Sequence, residues 1–255
     1  MNPKAEALVQ QKLAQTPRGQ RLLNRRTIWR VAIVLGLLAG LGLFLAWLGP
    51  LARGALIISL IASQLLIALL VGFSLITLSL LWSVGQRFDV WVFATFNLRG
   101  YHSRWTDGAM WLTTQIGNAG FAAFLAVGAY GLGNRQLAIE LVLGTLTLWL
   151  LVEVIKALTD RARPFNLLRE SRVVGRREPG LSFPSGHTAQ TFFIVALCIS
   201  HFQLSLGIAM ALYGIAVLVA FTRVYVGAHY PRDVIAGAIL GLVWGMLSVL
   251  VSPYF

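Results

Sequence analysis

The sequence predicts an all-α fold, a polytopic bundle of membrane helices, and three observations lead to this prediction. Hydrophobic residues make up 57% of the 255 residues and charged residues only 12%, roughly half the charged share of an ordinary soluble domain. The apolar residues lie in long runs, and about 20 of them are enough for one helix to cross a bilayer. No Gly/Ser-rich or Pro-rich linker and no internal repeat divides the chain. We therefore expect one integral membrane domain.

Seven apolar runs are candidates for membrane spans. They cover residues 31–49, 55–83, 118–133, 137–158, 188–204, 206–226 and 233–252. The run at 118–133 is short and could borrow residues from 108–117. The prediction is a six-helix core at 55–255, preceded by an extra N-terminal span with its turn at 31–54 and by a tail at 1–30.

The tail is strongly basic. Its cations are Lys4, Lys12, Arg18, Arg21, Arg25, Arg26 and Arg30, against the single acid Glu6. The apolar run after Arg30 exceeds the 7–15 residues that are usual in a cleavable signal peptide, so we expect a cytoplasmic segment followed by a signal anchor. The net charge of +12 does not indicate nucleic acid, because no soluble recognition fold presents the charges. Anionic lipid headgroups are the simpler partner.

Three polar clusters interrupt this apolar chain, and ionisable residues near a bilayer are costly unless they have a partner or a task. The first cluster, EVIKALTDRARP, ends the run at 137–158. The second, LSFPSGHTAQ, precedes the run at 188–204, and the third, FTRVYVGAHYPRD, separates the last two runs. A loop without a span separates the first two clusters, and two spans separate the second from the third. All three are therefore expected at one membrane face.

Each cluster is expected at a helix end. Pro164 should stop a helix, because proline lacks the amide hydrogen and clashes inside a helix. Pro184 and Pro231 suit the starts of the helices that follow them. Residues 185–187 would then occupy a first turn, where free N–H groups and the helix dipole favour an anion such as phosphate.

The side chains of the clusters fit a phosphoryl group. Gly186 lets an anion approach the backbone, and Ser185 adds a hydroxyl donor. Lys156, Arg163 and Arg223 would place three cations around the same point.

Two histidines could supply the chemistry. A neutral imidazole can attack phosphorus, while a second imidazole protonates the departing oxygen. Asp233, four residues after His229, could accept the N–H of that ring and stabilise the charge that develops on it. With His187, these are the parts of a covalent phosphotransfer cycle that uses no metal. The single cysteine, Cys198, excludes a Cys-based metal cluster.

The three clusters together resemble the tripartite signature of the type 2 phosphatidic acid phosphatase (PAP2) superfamily. That family includes bacterial membrane lipid phosphatases, glucose-6-phosphatase and soluble vanadium haloperoxidases. The chain reads K-x6-R-P over Lys156–Pro164, P-S-G-H over 184–187, and R-x5-H-x3-D over Arg223–Asp233. The resemblance covers about residues 55–252. Where the family often has Ser before the arginine of the third block, this chain has Thr222, which keeps the hydroxyl.

The resemblance implies a lipid phosphatase that works without a metal or another cofactor. It implies that His229 becomes phosphorylated, that Asp233 is its partner and that His187 is the general acid. The residues that would hold the phosphoryl oxygens are Lys156, Arg163, Ser185, Gly186 and Arg223. Candidate substrates are phosphatidic acid, phosphatidylglycerophosphate and undecaprenyl diphosphate. The alternatives are a lipid phosphotransferase and a non-catalytic protein that binds or transports lipid, and no protein partner can be inferred.

Other charged residues are interpreted as structural. Either Glu153 or Asp160 is expected to pair with Lys156 on one helix face, and residues 84–116 are typical of an interfacial amphipathic segment or lipid entry gate. The remaining basic residues of the clusters are interpreted as positive charge at loop ends, or as contacts to the substrate headgroup; they are Arg161, Arg169, Arg172, Arg176, Arg177 and Arg232.

Two arguments disagree about which side of the membrane carries the site. An extra span at 31–49 would put the basic tail and the site on the same face, with every Lys and Arg except Arg53 and Arg135. The positive-inside rule then favours a cytoplasmic site, whereas the family usually has an extracytoplasmic one, which a re-entrant segment within 31–83 would restore. The prediction is a multi-pass protein of the bacterial inner membrane, with the site on the extracytoplasmic side.

Overall fold

The computed structural model describes residues 49–100 and 102–251, together with isolated positions between 28 and 47. The described residues form helices joined by loops, with no strand among them, which confirms the all-α prediction. The α-helices are α1 (Pro50–Ala62), α2 (Gln64–Ser79), α3 (Ser83–Phe93), α4 (Arg104–Thr114), α5 (Ala119–Gly131), α6 (Arg135–Thr159), α7 (Pro164–Leu167), α8 (Gly186–His201), α9 (Leu206–Tyr225) and α10 (Pro231–Val251). The tail at 1–30 lies almost wholly outside the described residues, and the extra span at 31–54 is described only in part, so both stay predictions.

Three helical segments among the described residues are long and apolar enough to cross a membrane. They are Arg135–Leu167, which contains α6 and α7, together with α9 and α10. The predicted run at 55–83 is divided into α1 and α2, and the part of α1 from Arg53 onward meets α2 at 73°. The division falls at Ser63, whose side chain accepts a hydrogen bond from Leu66 N at the start of α2. If this bent pair counts as one span, the structure has up to four.

Helix α8 lies in the centre of the bundle and packs against α6, α9 and α10. Its contact with α10 is close because α10 presents glycines to it. A Cβ atom at Gly237 would lie 2.5 Å from the carbonyl oxygen of Ser185, and one at Gly241 would collide with the carbonyl of Ala189. Small residues allow two helix backbones to approach in this way. The first turn of α8 is thereby held against the first turn of α10.

The helix ends that carry the polar clusters follow the prediction with one exception. Helix α8 begins at Gly186 with Ser185 as its N-cap, and α10 begins at Pro231. Helix α6, however, does not run to Pro164: it ends at Thr159, and its C-cap residue Asp160 adopts the left-handed conformation with φ of 52°. Pro164 instead begins the short helix α7. The loop 160–163 therefore separates α6 from α7, and Arg163 at its end is buried.

Candidate active site

A cavity of about 320 Å³ opens where these helix ends meet. Five of the residues predicted for the site line it, namely Lys156, Arg163, Gly186, His187 and His229. The other three are buried beside the cavity without lining it, namely Ser185, which precedes Gly186, and Arg223 and Asp233, which lie against His229. The structure thus brings the three blocks of the sequence together at one place.

The ring of His229 is held in one orientation by a backbone carbonyl. Its Nδ1 lies 2.7 Å from the oxygen of Ser182, and its Nε2 lies 3.3 Å from Nη1 of Arg163. Because a carbonyl can only accept, Nδ1 must carry the proton and Nε2 must carry the lone pair. Burial, followed by the positive charges of Arg163 and Arg223, lowers the pKa of His229 well below its ordinary value. The ring is therefore neutral at neutral pH.

Asp233 is not the direct acceptor that the sequence suggests. Its Oδ2 lies 3.7 Å from Nδ1 of His229, beyond hydrogen-bond distance. That oxygen accepts instead from the backbone N–H of Tyr230 at 2.8 Å and from the hydroxyl of Ser182, while Oδ1 accepts from Nη1 of Arg161 at 2.5 Å. Asp233 therefore acts on His229 through its charge and through Ser182, whose carbonyl accepts the ring N–H.

The arginines of the first and third blocks share a carboxylate. Nη1 of Arg163 lies 3.1 Å from Oε2 of Glu178, and Nη2 of Arg223 donates to the other carboxylate oxygen. Nη1 of Arg223 also donates to the hydroxyl of Thr114 at 2.8 Å. Both guanidinium groups are almost completely buried. Two buried cations that hold one oxyanion between them form the kind of site that binds phosphate.

Glu178 belongs to the loop between α7 and α8 and was not predicted as a site residue. Burial disfavours its charged form, but the positive charges of Arg223 and Arg163 outweigh burial and hold the pKa of this carboxyl well below its usual range. Glu178 is therefore an anion in the structure. Within a loop that is mostly basic, nothing in its sequence neighbourhood distinguishes it from a surface acid.

The remaining predicted residues occupy different parts of the wall. Nζ of Lys156 lies 2.8 Å from Oε1 of Glu153. Lys156 therefore pairs with Glu153, one of the two acids, Glu153 and Asp160, that the sequence offered as partners. The hydroxyl of Ser185 lies 2.9 Å from that of Thr188, and its backbone N–H donates to the carbonyl of Asp233 at 2.9 Å. Ser185 thus closes the first turn of α8 onto α10.

The interpretation of the other arginines as loop-end charges is wrong for three of them. Arg232 is buried and the side chain of Arg161 is only 10% exposed, and both bind the carboxylate of Asp89 on α3. Arg172 is half-buried and binds the carboxylate of Asp107 on α4 at 2.7 Å. The loop-end interpretation agrees with the exposed positions of the other three, Arg169, Arg176 and Arg177. No group of three or more His, Cys, Asp or Glu side chains in the described part of the chain could hold a metal ion.

The chain is similar in sequence to known proteins. Residues 137–255 match the model of the PAP2 superfamily. Over 125 residues the chain is 37% identical to the undecaprenyl-diphosphatase of Sulfolobus acidocaldarius, covering 47% of this chain and 57% of that protein. Over 81 residues it is 40% identical to the lipid A 4′-phosphatase of Bacteroides thetaiotaomicron, covering 31% of this chain and 35% of that protein. The chain thus spans little more than half the length of the first of these relatives and about a third of the second.

The fold is similar to that of a solved membrane phosphatase. The crystal structure of the PAP2-type phosphatidylglycerolphosphate phosphatase from Bacillus subtilis superposes with a TM-score of 0.62 at 26% identity, covering 72% of this chain and 94% of that chain. The sequence blocks, the helix ends that join them and this likeness agree with one another, and residues 137–255 of the chain match the model of the PAP2 superfamily.

Proposed function

We propose that this protein is a membrane phosphatase that hydrolyses a phosphate monoester or diphosphate of an anionic lipid through a phosphohistidine on His229. The observation that carries the proposal is the environment of that ring. Its Nδ1 donates to a carbonyl, so Nε2 carries the lone pair, which accepts at 3.3 Å from Nη1 of Arg163, whose guanidinium also holds a carboxylate. A neutral nucleophile beside a buried oxyanion site is what phosphoryl transfer requires.

The proposed cycle has two steps. Nε2 of His229 attacks phosphorus and forms the N–P bond, the bond from phosphorus to the lipid oxygen breaks, and His187 gives that oxygen a proton. Water then attacks the phosphohistidine, His187 takes a proton from it, and inorganic phosphate leaves as the N–P bond breaks. Asp233, 3.7 Å from Nδ1, stabilises the positive ring. The groups that would stabilise the equatorial oxygens are Lys156, Arg163, Ser185, Gly186 and Arg223.

The opposite wall of the cavity suits the lipid part of such a substrate. It is formed by Leu148, Trp149 and Val152 of α6. Beside them, Gln190 donates to the hydroxyl of Thr145 at 2.8 Å. This polar pair could contact the lipid atoms that lie next to the phosphate. Undecaprenyl diphosphate and phosphatidylglycerophosphate are the candidate substrates that the names of the relatives favour, and phosphatidic acid is the third.

Single-residue variants test the proposal. Purified His229→Ala and His187→Ala proteins should release phosphate from each candidate lipid at least about 10³-fold more slowly than the wild type, because a nucleophile and a proton donor are removed. His201→Ala is the matched control, since that ring pairs with Asn134 and Glu140 at the other end of α8. Wild-type activity should persist in chelator and fall with vanadate. Near wild-type release by either active-site variant would sink the proposal.

A further inference from the structure

A second cluster of buried charges lies directly behind the candidate active site. It contains two acids, Asp89 and Asp233, and two guanidinium groups, Arg161 and Arg232. Both carboxylates are completely buried, with 0% of their surface exposed. The charges cancel within the cluster, which makes it tolerable beside a bilayer where a single unpaired ion would be costly.

Asp89 is the centre of this cluster. Its Oδ2 accepts from Nη2 of Arg161 and, at 2.7 Å, from Nε of Arg232. Its Oδ1 accepts from the backbone N–H of Arg232 at 3.1 Å. The other guanidinium nitrogen of Arg161 donates to Asp233 at 2.5 Å. Arg161 therefore bridges the two acids, and its position depends on Asp89.

The backbone of Arg161 is also linked to the proposed nucleophile, His229, by hydrogen bonds through Ser182. Its carbonyl accepts from the N–H of Ser182 at 2.7 Å, and Ser182 is the residue whose own carbonyl accepts the N–H of His229. The guanidinium of Arg161 lies 4.6 Å from the ring centroid of Tyr230, next to His229 in the chain. One arginine thus holds both groups that act on the Nδ1 side of His229, the carbonyl of Ser182 and the carboxylate of Asp233.

The cluster ties the catalytic end of the bundle to helices that precede residue 137, where the family match begins. Nη1 of Arg232 donates to the carbonyl of Ser79 at 2.6 Å, at the end of α2. Nη2 of Arg161 donates to Gln86 of α3 at 3.0 Å. Gly85 packs against the guanidinium of Arg232 so closely that a Cβ atom there would collide with it. Helix α3 therefore holds Arg161 and Arg232 on one side of the cluster, and Asp233 binds Arg161 on the other side.

We propose that Asp89 and Arg161 are positioning residues for His229. Asp89 orients the guanidinium of Arg161, and Arg161 in turn holds Asp233 and Ser182 in the places from which they fix the ring and balance its charge. Neither residue lines the cavity, and their side chains are engaged with each other, with Asp233 and with Arg232, so the proposal gives neither of them a contact with the phosphate. The inference rests on the proposed function, because it needs His229 to be the nucleophile.

The first test separates positioning from binding. Asp89→Asn keeps the size of the side chain but removes its charge, so Arg161 loses its anchor while the phosphate-binding arginines are unchanged. We expect kcat to fall about 10- to 100-fold, by analogy with residues that orient metal-binding histidines, with KM and the inhibition constant of inorganic phosphate within about twofold. Glu140→Gln is the matched control, because Glu140 pairs with His201 near the opposite end of α6, and it should keep the wild-type kcat. A kcat of Asp89→Asn within twofold of the wild type overturns the inference.

The second test asks whether Asp89 acts through Asp233. In an Asp233→Asn background, adding Asp89→Asn should lower kcat by less than about threefold, because the group that Asp89 positions has already lost its charge. If the two losses multiply instead, Asp89 acts on the fold in general and the inference is wrong. Thermal unfolding of each purified variant accompanies the kinetics.

A charge-balanced variant covers the case in which Asp89→Asn does not fold. Asp89→Asn combined with Arg232→Gln removes one charge of each sign, so the buried cluster stays neutral. It should show the same loss of kcat, and a wild-type kcat in this variant also overturns the inference. The proposed function has its own test. If His229→Ala is active, His229 is not the nucleophile, whatever the result for Asp89. If His229→Ala is inactive and Asp89→Asn is fully active, only the positioning role is wrong.

Discussion

The proton on Nδ1 of His229 is held by the carbonyl of Ser182 rather than by a carboxylate. This arrangement separates two tasks that one acid often performs together, fixing the tautomer of a histidine and stabilising its positive charge. In this site the carbonyl at 2.7 Å fixes the tautomer, and in the proposed mechanism Asp233 at 3.7 Å supplies the balancing charge. The two tasks can therefore be removed separately.

Asp233→Asn should consequently retain measurable activity. Where a carboxylate alone fixes the tautomer, the Asn variant loses about 10⁴-fold in kcat. In this protein the tautomer survives, so we expect a loss of about 10²-fold, from the missing charge alone. Steady-state kinetics of the purified variant checks this, and a loss as large as that of His229→Ala would show that the carbonyl does not hold the ring.

Glu178 occupies the arginine pair that the substrate phosphate is proposed to use. Replacing it by Gln removes the competing negative charge, so inorganic phosphate should inhibit the Glu178→Gln enzyme about tenfold more strongly, equivalent to about 1.4 kcal/mol. Glu170→Gln, an exposed acid of the same loop, is the control and should leave the inhibition constant unchanged. Equal inhibition of the wild type and Glu178→Gln would mean that phosphate binds elsewhere.

The competition between Glu178 and inorganic phosphate for the arginine pair should persist at mildly acidic pH. Because the pKa of Glu178 is lowered in the folded protein, the stabilisation from its ion pairs is fully present above the ordinary carboxyl pKa of about 4.3. It is lost only as the pH falls through the lowered value. The ratio of the two inhibition constants should therefore be the same at about pH 5 and pH 6, where inorganic phosphate is mainly the monoanion and only the ionisation of Glu178 could change the ratio. A ratio that shrinks at pH 5 would contradict the assignment of Glu178 as the buried anion.

Individual residues divide into those that the sequence could identify and those that it could not. The residues of the three blocks could be identified because their spacing within each block is a local property. Arg161 and Arg232 were misread because an arginine at a loop end looks the same whether it meets lipid or a buried acid. Asp89 is 72 residues before Arg161 in the chain, so only the folded structure reveals their contact.

At the scale of helices, the site depends on how closely the first turns of α8 and α10 approach. Proline positions predicted the starts of both helices, because proline fits a first turn. The end of α6 was not predicted, since Asp160 adopts a left-handed conformation that non-glycine residues seldom take. The bend at Ser63 was also missed, because the apolar run through it is continuous in hydropathy.

Gly237→Ala tests that close approach. Its new Cβ atom would lie 2.5 Å from the carbonyl oxygen of Ser185, so α8 must move away from α10. We expect a loss of about 1–3 kcal/mol in stability, as for other overpacked sites, together with lower phosphate release. Gly214→Ala on α9 has no atom near the new methyl group and should be neutral. Thermal unfolding in detergent compares them, and equal midpoints for both variants would contradict the packing described.

At the scale of the whole molecule, the open question of the sequence was which side of the membrane carries the site. The structure joins the three clusters at one end of the bundle, as the count of spans between them predicted. We propose an extracytoplasmic site, as in the family that the sequence resembles.

Cysteine labelling of intact cells tests this orientation. In a Cys198→Ser background, a membrane-impermeant thiol reagent should label Arg176→Cys, on the exposed loop beside the cavity. It should not label Arg135→Cys, at the start of α6 and at the opposite end of the bundle. Labelling of Arg135→Cys without labelling of Arg176→Cys would show that the site is cytoplasmic.

The most direct measurement of the central claim is to trap the phosphorylated enzyme. Wild-type protein mixed with a lipid labelled in its terminal phosphate, and quenched in alkali before one turnover is complete, should carry the label on His229. Peptide mapping by mass spectrometry locates it, and His229→Ala should carry none. Label on a different residue, or phosphate released without any labelled protein, would contradict the account.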